Sequence, residues 1–108
     1  MTRVLFLCTH NSARSQMAEG FLRAMADDRF EAGSAGTEKT SVNPLAIRVM
    51  AERGIDLGGH ASKVYADVAL PSWDYLITVC DDADERLAVF RRVRDQIQER
   101  LTDWLRSL

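Results

Sequence analysis

A cysteine and an arginine, separated by five residues, lie in the stretch CTHNSARS directly after the apolar run VLFL. The run predicts a short buried strand, and Met17, Ala18, Phe21, Leu22 and Met25 recur at the spacing of a helix from about Ser15 to Asp27. A loop that enters a helix start offers free backbone N–H groups and the positive end of the helix dipole, which together bind an oxyanion. The sequence therefore predicts an anion site between a strand and a helix.

The side chains of this stretch suit such a site. Arg14 can clamp two oxygens of the anion, and the same positive field lowers the pKa of the Cys8 thiol so that a thiolate forms. Ser15 can hydrogen-bond that thiolate, and Asn11 can hold the loop through bonds to its backbone. The pattern predicts a nucleophile aimed at a phosphate-like group. The alternative is a cysteine that merely ends a buried strand before a capped helix.

The rest of the chain must position this stretch, and its 108 residues suffice for one domain with a modest core. Apolar patterns predict strands at Val4–Leu7, Phe30–Ala35 and Tyr75–Cys80, a helix from Asn43 and Pro44 to a stop at Gly54, a short helix or loop at 60–70, and a long helix from near Ala83. This alternation indicates an α/β fold with a parallel sheet, strand order 2-1-3, and helices on both faces.

The only two cysteines, Cys8 and Cys80, each end a predicted strand. Sites in parallel sheets lie beyond the carboxyl ends of the strands, so we expect the two thiols to meet at one edge. The alternative for Cys80 is a small buried apolar residue.

The last predicted helix carries one apolar stripe along its length. Its charges from Arg91 to Arg106 predict a solvated opposite face, while His60 and Trp73 are interpreted as structural. The stripe comprises Leu87, Phe90, Val93, Ile97, Leu101, Trp104, Leu105 and Leu108.

Composition excludes several classes of function. The net charge of −2 and pI near 5.6 argue against a broad nucleic-acid surface. No segment approaches a membrane span, and the apolar run before Cys8 is too short for a secretory signal, so a cytoplasmic location is expected. Two cysteines and two histidines without paired spacing indicate no zinc site.

Three segments resemble the arsenate reductases that share the low-molecular-weight tyrosine phosphatase fold. They are VLFLCTHNSARSQMAEG, SAGTEKTSVNPLAIRVMAERGIDLGGHASK and WDYLITVCDDADE, and the likeness covers nearly the whole chain in order. The resemblance implies a three-layer α/β sandwich around a small parallel sheet, of phosphatase I type, formed by residues 1–108 as a single domain. It also implies reduction of arsenate to arsenite in arsenic detoxification, with no tightly bound cofactor.

The resemblance assigns roles by position. Cys8 matches the nucleophile, Cys80 the resolving thiol that leaves a disulfide, Arg14 the oxyanion clamp and Ser15 the thiolate stabiliser. The oxyanion loop comprises Thr9, His10, Asn11, Ser12, Ala13, Arg14 and Ser15. Asn11, Glu19 and Ser34 match residues that order the loop, in some members around a potassium ion. Lys63 stands where some members carry an acidic potassium ligand. Either its ammonium replaces the ion, or it is a solvated surface lysine.

The resemblance also implies partners for the reaction. Arsenate is the substrate, with phosphate or sulfate as competing oxyanions. The disulfide takes electrons from thioredoxin, a glutaredoxin-type protein or a small thiol.

The chain departs from the family pattern in two further ways. It has no third cysteine, and no Asp-Pro acid loop, because its two prolines follow Asn43 and Leu70. In this sequence CDDADE is followed directly by the predicted last helix, so the fourth strand of the family pattern is missing as well. The acidic run at 81–84 is a substitute acid or a charge cluster at the helix start. An exposed third strand predicts a monomer or a weak homodimer.

Two other functions stay open. A low-molecular-weight phosphatase needs no thiol at Cys80, so this residue separates the two enzymes. A non-catalytic oxyanion-binding or redox-sensing module fits the missing acid and third cysteine.

Overall fold

The computed structural model of the protein describes residues 1–8, 13–37, 41–68, 72–79 and 87–108. In these residues the chain forms β1 (Thr2–Cys8), α1 (Arg14–Ala26), β2 (Phe30–Gly36), α2 (Pro44–Ala51), α3 (Tyr65–Val68), β3 (Tyr75–Thr78) and α4 (Leu87–Ser107). The strands pair in parallel in the order β2-β1-β3. The predicted α/β class and strand order are therefore confirmed, while the predicted helix start near Ala83 lies outside the described residues.

The central position of β1 decides where its last residue lies. Cys8 is level with Gly36 of β2, and Leu7 is level with Thr78 of β3. The N–H of Val79 donates to the carbonyl of Leu7 at 2.8 Å, so the β1–β3 pairing continues one residue beyond β3. The carboxyl ends of all three strands thus form one edge of the sheet.

The two faces of the sheet carry different packing. Val4 and Phe6 belong to a buried core that also takes side chains from α1, α2 and α4. Leu5 points to the other face, where the Trp73 ring lies over Gly33. A Cβ atom on Gly33 would lie 2.7 Å from that ring, so only glycine lets the ring approach. The indole N–H of Trp73 donates to the Val68 carbonyl at 2.7 Å, which ties the ring to α3.

Helix α2 has the ends that its sequence predicts. The side-chain oxygen of Asn43 accepts from the Leu45 N–H at 2.8 Å, and Pro44 occupies the first helical position. The helix ends at Ala51, and the following turn closes at Gly54, whose φ is +74°. The predicted start is confirmed, and the helix ends three residues before the predicted stop at Gly54.

Helix α4 packs along most of its predicted stripe, with Phe90, Val93 and Leu101 buried. Leu108 was predicted to continue the stripe, but it lies beyond the end of the helix and is 59% exposed. Met25 of α1 is likewise 36% exposed, whereas Leu22 and Ala26 are the buried residues at this end of the helix. None of the helices in the described ranges combines the length and apolar surface that a membrane span requires.

Arg94 contradicts the prediction that the charges of α4 form a solvated face, because its side chain is only 6% exposed. Its Nη1 donates to the Val49 carbonyl at 3.0 Å and to Glu52 at 2.7 Å, and its Nε donates to Asp95. The last carbonyls of α2 have no partner within their own helix. Arg94 therefore joins α4 to the end of α2.

Replacing Glu52 with glutamine should change how stability depends on pH. Hydrogen bonding from Arg91 is the main cause that holds the pKa of Glu52 at about 2, below its ordinary 4.5. The stabilisation is therefore complete above the unfolded pKa and is lost as pH falls from about 4.5 towards 2. Melting temperatures of wild type and Glu52→Gln should differ at pH 6 and converge near pH 2. Glu99→Gln, on the exposed side of α4, is the control, and a constant difference down to pH 2 contradicts the prediction.

Candidate functional site

Cys8 lies where β1 ends and the chain approaches α1. It is 7% exposed, and its Sγ lies 2.6 Å from the hydroxyl oxygen of Ser15. Ser15 is fully buried in the first turn of α1. When the thiol ionises, this hydroxyl can donate to the thiolate and stabilise it.

Replacing Ser15 with alanine should make the Cys8 thiolate harder to form. The loss of one buried hydroxyl donor to an anion is worth about 1.5 kcal/mol or more, close to one unit on the pH scale. The rate at which iodoacetamide alkylates Cys8 can be measured by mass spectrometry as a function of pH. The midpoint of this pH dependence should lie at a higher pH in the variant than in the wild type. A thermal melt checks that the fold survives, and an unchanged midpoint in a folded variant contradicts the role assigned to Ser15.

The start of α1 lies beside Cys8, because Ser15 in its first turn contacts Cys8 Sγ. The helix begins at Arg14, with Ala13 in the N-cap position, and the Ala13 side chain supplies no capping oxygen. The first turn therefore relies on groups other than its N-cap side chain, and an oxyanion is one such group. The residues Thr9, His10, Asn11 and Ser12 lie outside the described residues, as does Cys80. Their predicted roles stay predictions.

Behind this turn lies a buried carboxylate, Glu19, whose side chain is 2% exposed. The Ser34 hydroxyl donates to its Oε1 at 2.7 Å. Arg23 lies 3.2 Å from Oε2, and the Lys63 ammonium lies 4.0 Å from Oε1. Among the described residues, the structure thus brings together the loop-ordering group predicted from the sequence, Glu19, Ser34 and Lys63.

His60 completes the surroundings of this carboxylate. Its Nδ1 lies 3.0 Å from Gln16 Oε1 and 3.3 Å from Glu19 Oε2. Both neighbours are acceptors, since Gln16 uses its amide N–H on the Ala61 carbonyl. The proton of the ring is therefore assigned to Nδ1. Burial lowers the pKa of His60 below its ordinary 6.5, although the Glu19 carboxylate opposes this shift.

The described surroundings of Glu19 do not favour a potassium ion. Arg23 and Lys63 already place cationic nitrogens within 3.2 Å and 4.0 Å of the Glu19 oxygens. An added ion would lie beside both charges, at a cost in repulsion. The Lys63 ammonium, which also donates to the Ala61 carbonyl at 2.8 Å, fits the role of the ion better. No group of three or more potential metal ligands occurs in the described ranges.

The sequence interpretation missed the contributions of Gln16 and Arg23, and it gave His60 only a general structural role. The sequence did contain a signal for Gln16 and Arg23. Gln16, Glu19 and Arg23 are spaced three and four residues apart, so they share one face of α1. Nothing in the local sequence links His60 to that face.

The sequence and the fold match one family. The sequence profile of the low molecular weight phosphotyrosine protein phosphatases covers residues 3–108, and the chain belongs to this family. Its similar relatives include arsenate reductase 1 of Staphylococcus epidermidis, 38% identical, over 88% of this chain and 89% of the relative. The resemblance that the three sequence segments indicated is confirmed.

Solved structures agree with the sequence comparison. An arsenate reductase in the phosphate binding state superposes with a TM-score of 0.90 at 32% identity, over 99% of this chain and 98% of that chain. The thioredoxin-dependent arsenate reductase of Corynebacterium glutamicum gives a TM-score of 0.77 at 25% identity, over 100% of this chain and 64% of the other.

The relative from S. epidermidis is aligned over 117 positions, whereas 88% of this chain is about 95 residues. About 22 aligned positions therefore have no residue here. This difference agrees with the predicted shortening of the chain.

Proposed function

We propose that the protein is an arsenate reductase that uses Cys8 as nucleophile and Cys80 as resolving thiol. The observation that carries the proposal is the arrangement of two strand ends. Cys8 ends the central strand with its Sγ against Ser15, and Val79 is still bonded to that strand immediately before Cys80 in sequence. A phosphatase of the same family has no need of the second thiol.

The proposed first step forms a sulfur–arsenic bond. The start of α1 and the Arg14 guanidinium hold the arsenate oxygens, and residues 9–13 contribute backbone N–H groups. The Cys8 thiolate, stabilised by the Ser15 hydroxyl, attacks arsenic, and one arsenate oxygen leaves as water after protonation. The Glu19 group, with Lys63 in place of an ion, keeps the loop in position behind the thiolate.

The second step moves two electrons to arsenic. The Cys80 thiolate attacks Cys8 Sγ, so that a sulfur–sulfur bond forms and the sulfur–arsenic bond breaks. The bonding pair stays on arsenic, which leaves as arsenite, and the two cysteines are oxidised to a disulfide. Adjacent strands lie about 4.8 Å apart, and a disulfide needs Cα atoms within about 7 Å. The spacing of neighbouring strands is within that distance.

The disulfide must then be reduced by an external thiol. A thioredoxin-type protein is the proposed donor, with a glutaredoxin-type protein or a small thiol as alternatives, because a related structure is a thioredoxin-dependent enzyme. The reaction needs a reducing compartment, so we place it in the cytoplasm. Phosphate and sulfate should compete with arsenate, since they share its shape and charge.

The test is mass spectrometry of the reduced protein after a single exposure to arsenate without other thiols. Loss of two hydrogens, mapped to a Cys8–Cys80 link and matched by one equivalent of arsenite, is the expected result. Cys80→Ser should retain arsenate binding but form no disulfide. Arsenite that appears only after a small thiol is added means that an external thiol resolves the intermediate, and Cys80 then has no role.

A phosphatase is the second candidate, since the family profile is that of phosphotyrosine phosphatases. In that case Cys80→Ser hydrolyses an aryl phosphate as fast as wild type, and neither protein releases arsenite. Tight binding of arsenate without either product indicates an oxyanion-binding or redox-sensing module instead.

A further inference from the structure

β3 is an edge strand of the sheet that the described residues form. Val79 donates to Leu7, and Ile77 is level with Phe6. Because backbone groups alternate along a strand, those of Leu76 and Thr78 point away from β1. No strand in the described ranges pairs with this edge. Its residues, YLIT, include neither a charge nor a proline, the two devices that most often protect an edge.

A groove of about 520 Å³ runs beside this edge. Its apolar floor is formed by Phe6, Ile77, Val93, Ile97, Leu101 and Trp104. Arg14 and Val79 lie along it near the carboxyl end of the sheet, and Trp104 contacts Tyr75 at the other end of β3. The groove therefore adjoins the carboxyl-terminal half of β3.

The charge of the groove favours one kind of occupant. Arg14 and Arg100 line it, and no carboxylate does so among the described residues. A second copy of the chain, paired edge to edge, would bring a second Arg100 guanidinium to the interface and be opposed by its repulsion. An acidic partner is attracted by the same charges.

We propose that the β3 edge and this groove bind an extended, acidic segment of a partner protein. The segment adds a strand beside β3 through the backbone groups of Leu76 and Thr78. Alternate side chains of the segment then point into the apolar groove, while its carboxylates meet Arg100. This surface goes beyond the proposed function, and it does not depend on arsenate reduction.

The test uses a fluorescent peptide of about eight residues, a suitable strand length, in which glutamate and valine alternate. Fluorescence anisotropy should show saturable binding to the full chain. Arg100→Glu should weaken binding about tenfold, equivalent to the loss of one good charge contact. Arg92→Glu, exposed on the same helix but outside the groove, should change it by less than about twofold.

Two N-methylated peptides test strand addition directly. One peptide is methylated on the alternate amides that would face β3, and the other on the amides in between. The first should not bind and the second should, because only alternate amides of an added strand face β3. Equal binding of the two peptides, equal effects of Arg100→Glu and Arg92→Glu, or no binding at all overturns the proposal. A concentration-dependent dimer in sedimentation, dispersed by Leu76→Lys, also overturns it, since the occupant is then a second copy.

Discussion

Replacing Cys8 with serine is expected to lower kcat/KM for arsenate reduction by at least about four orders of magnitude. A serine hydroxyl is not ionised at neutral pH, so it cannot attack arsenic as the thiolate does. It also cannot form a disulfide, so no two-electron route to arsenite remains within the chain. Arsenite release, measured with an excess of thioredoxin-type reductant, is the appropriate assay.

The same variant should keep its fold and its anion site. Serine is only slightly smaller than cysteine, and its hydroxyl can still hydrogen-bond Ser15 in place of the cysteine Sγ. Calorimetry should therefore show phosphate binding, and the melting temperature should change by only a few degrees. Arsenite formation at more than one part in about a thousand of the wild-type rate contradicts the assignment of Cys8 as nucleophile.

Replacing Glu19 with glutamine should have the largest effect on stability. The carboxylate is nearly fully buried beside the Arg23 and Lys63 cations. Glutamine keeps an acceptor for Ser34 but removes the negative charge that lies beside both cations. Removal of one member of a buried charged group costs about 3–5 kcal/mol, and the exposure of the two cations favours the lower figure. Urea unfolding measures the loss directly.

Glu31→Gln is the matched control for this experiment. Its carboxylate pairs with Arg3 at 2.7 Å, but 55% of the side chain is exposed. An exposed pair contributes at most about 1 kcal/mol. If the two variants lose the same stability, then burial does not govern the strength of the Glu19 group, and its role in holding the loop is contradicted.

The fold was predictable because its main signals are local. Pro44 and Asn43 mark a helix start by their own chemistry, and continuous apolar runs mark buried strands. The wrong details involve distant partners. Arg94 is buried because α4 crosses the end of α2, where free carbonyls need a donor. Local charge on α4 carries no information about that crossing.

The contacts of the candidate site likewise divide into local ones, which the sequence predicts, and distant ones, which it does not. The contact between Cys8 and Ser15 could be expected because a strand end, a short loop and a helix start determine it. The contact between His60 and Gln16 could not be expected, since the two residues are 44 positions apart in sequence. Resemblance to a family supplied Glu19, Ser34 and Lys63, which local patterns alone do not connect.

The central place of β1 in the sheet favours one order of folding. Contacts from β1 reach 28 positions ahead to β2 and 71 positions ahead to β3. The longer loop costs about 1 kcal/mol more in closure entropy, and non-local pairing is slow. During synthesis β1 leaves the ribosome well before either partner. The β1–α1–β2 unit, which contains both Cys8 and Glu19, can therefore form first, and β3 completes the edge of the anion site only when nearly the whole chain has been made.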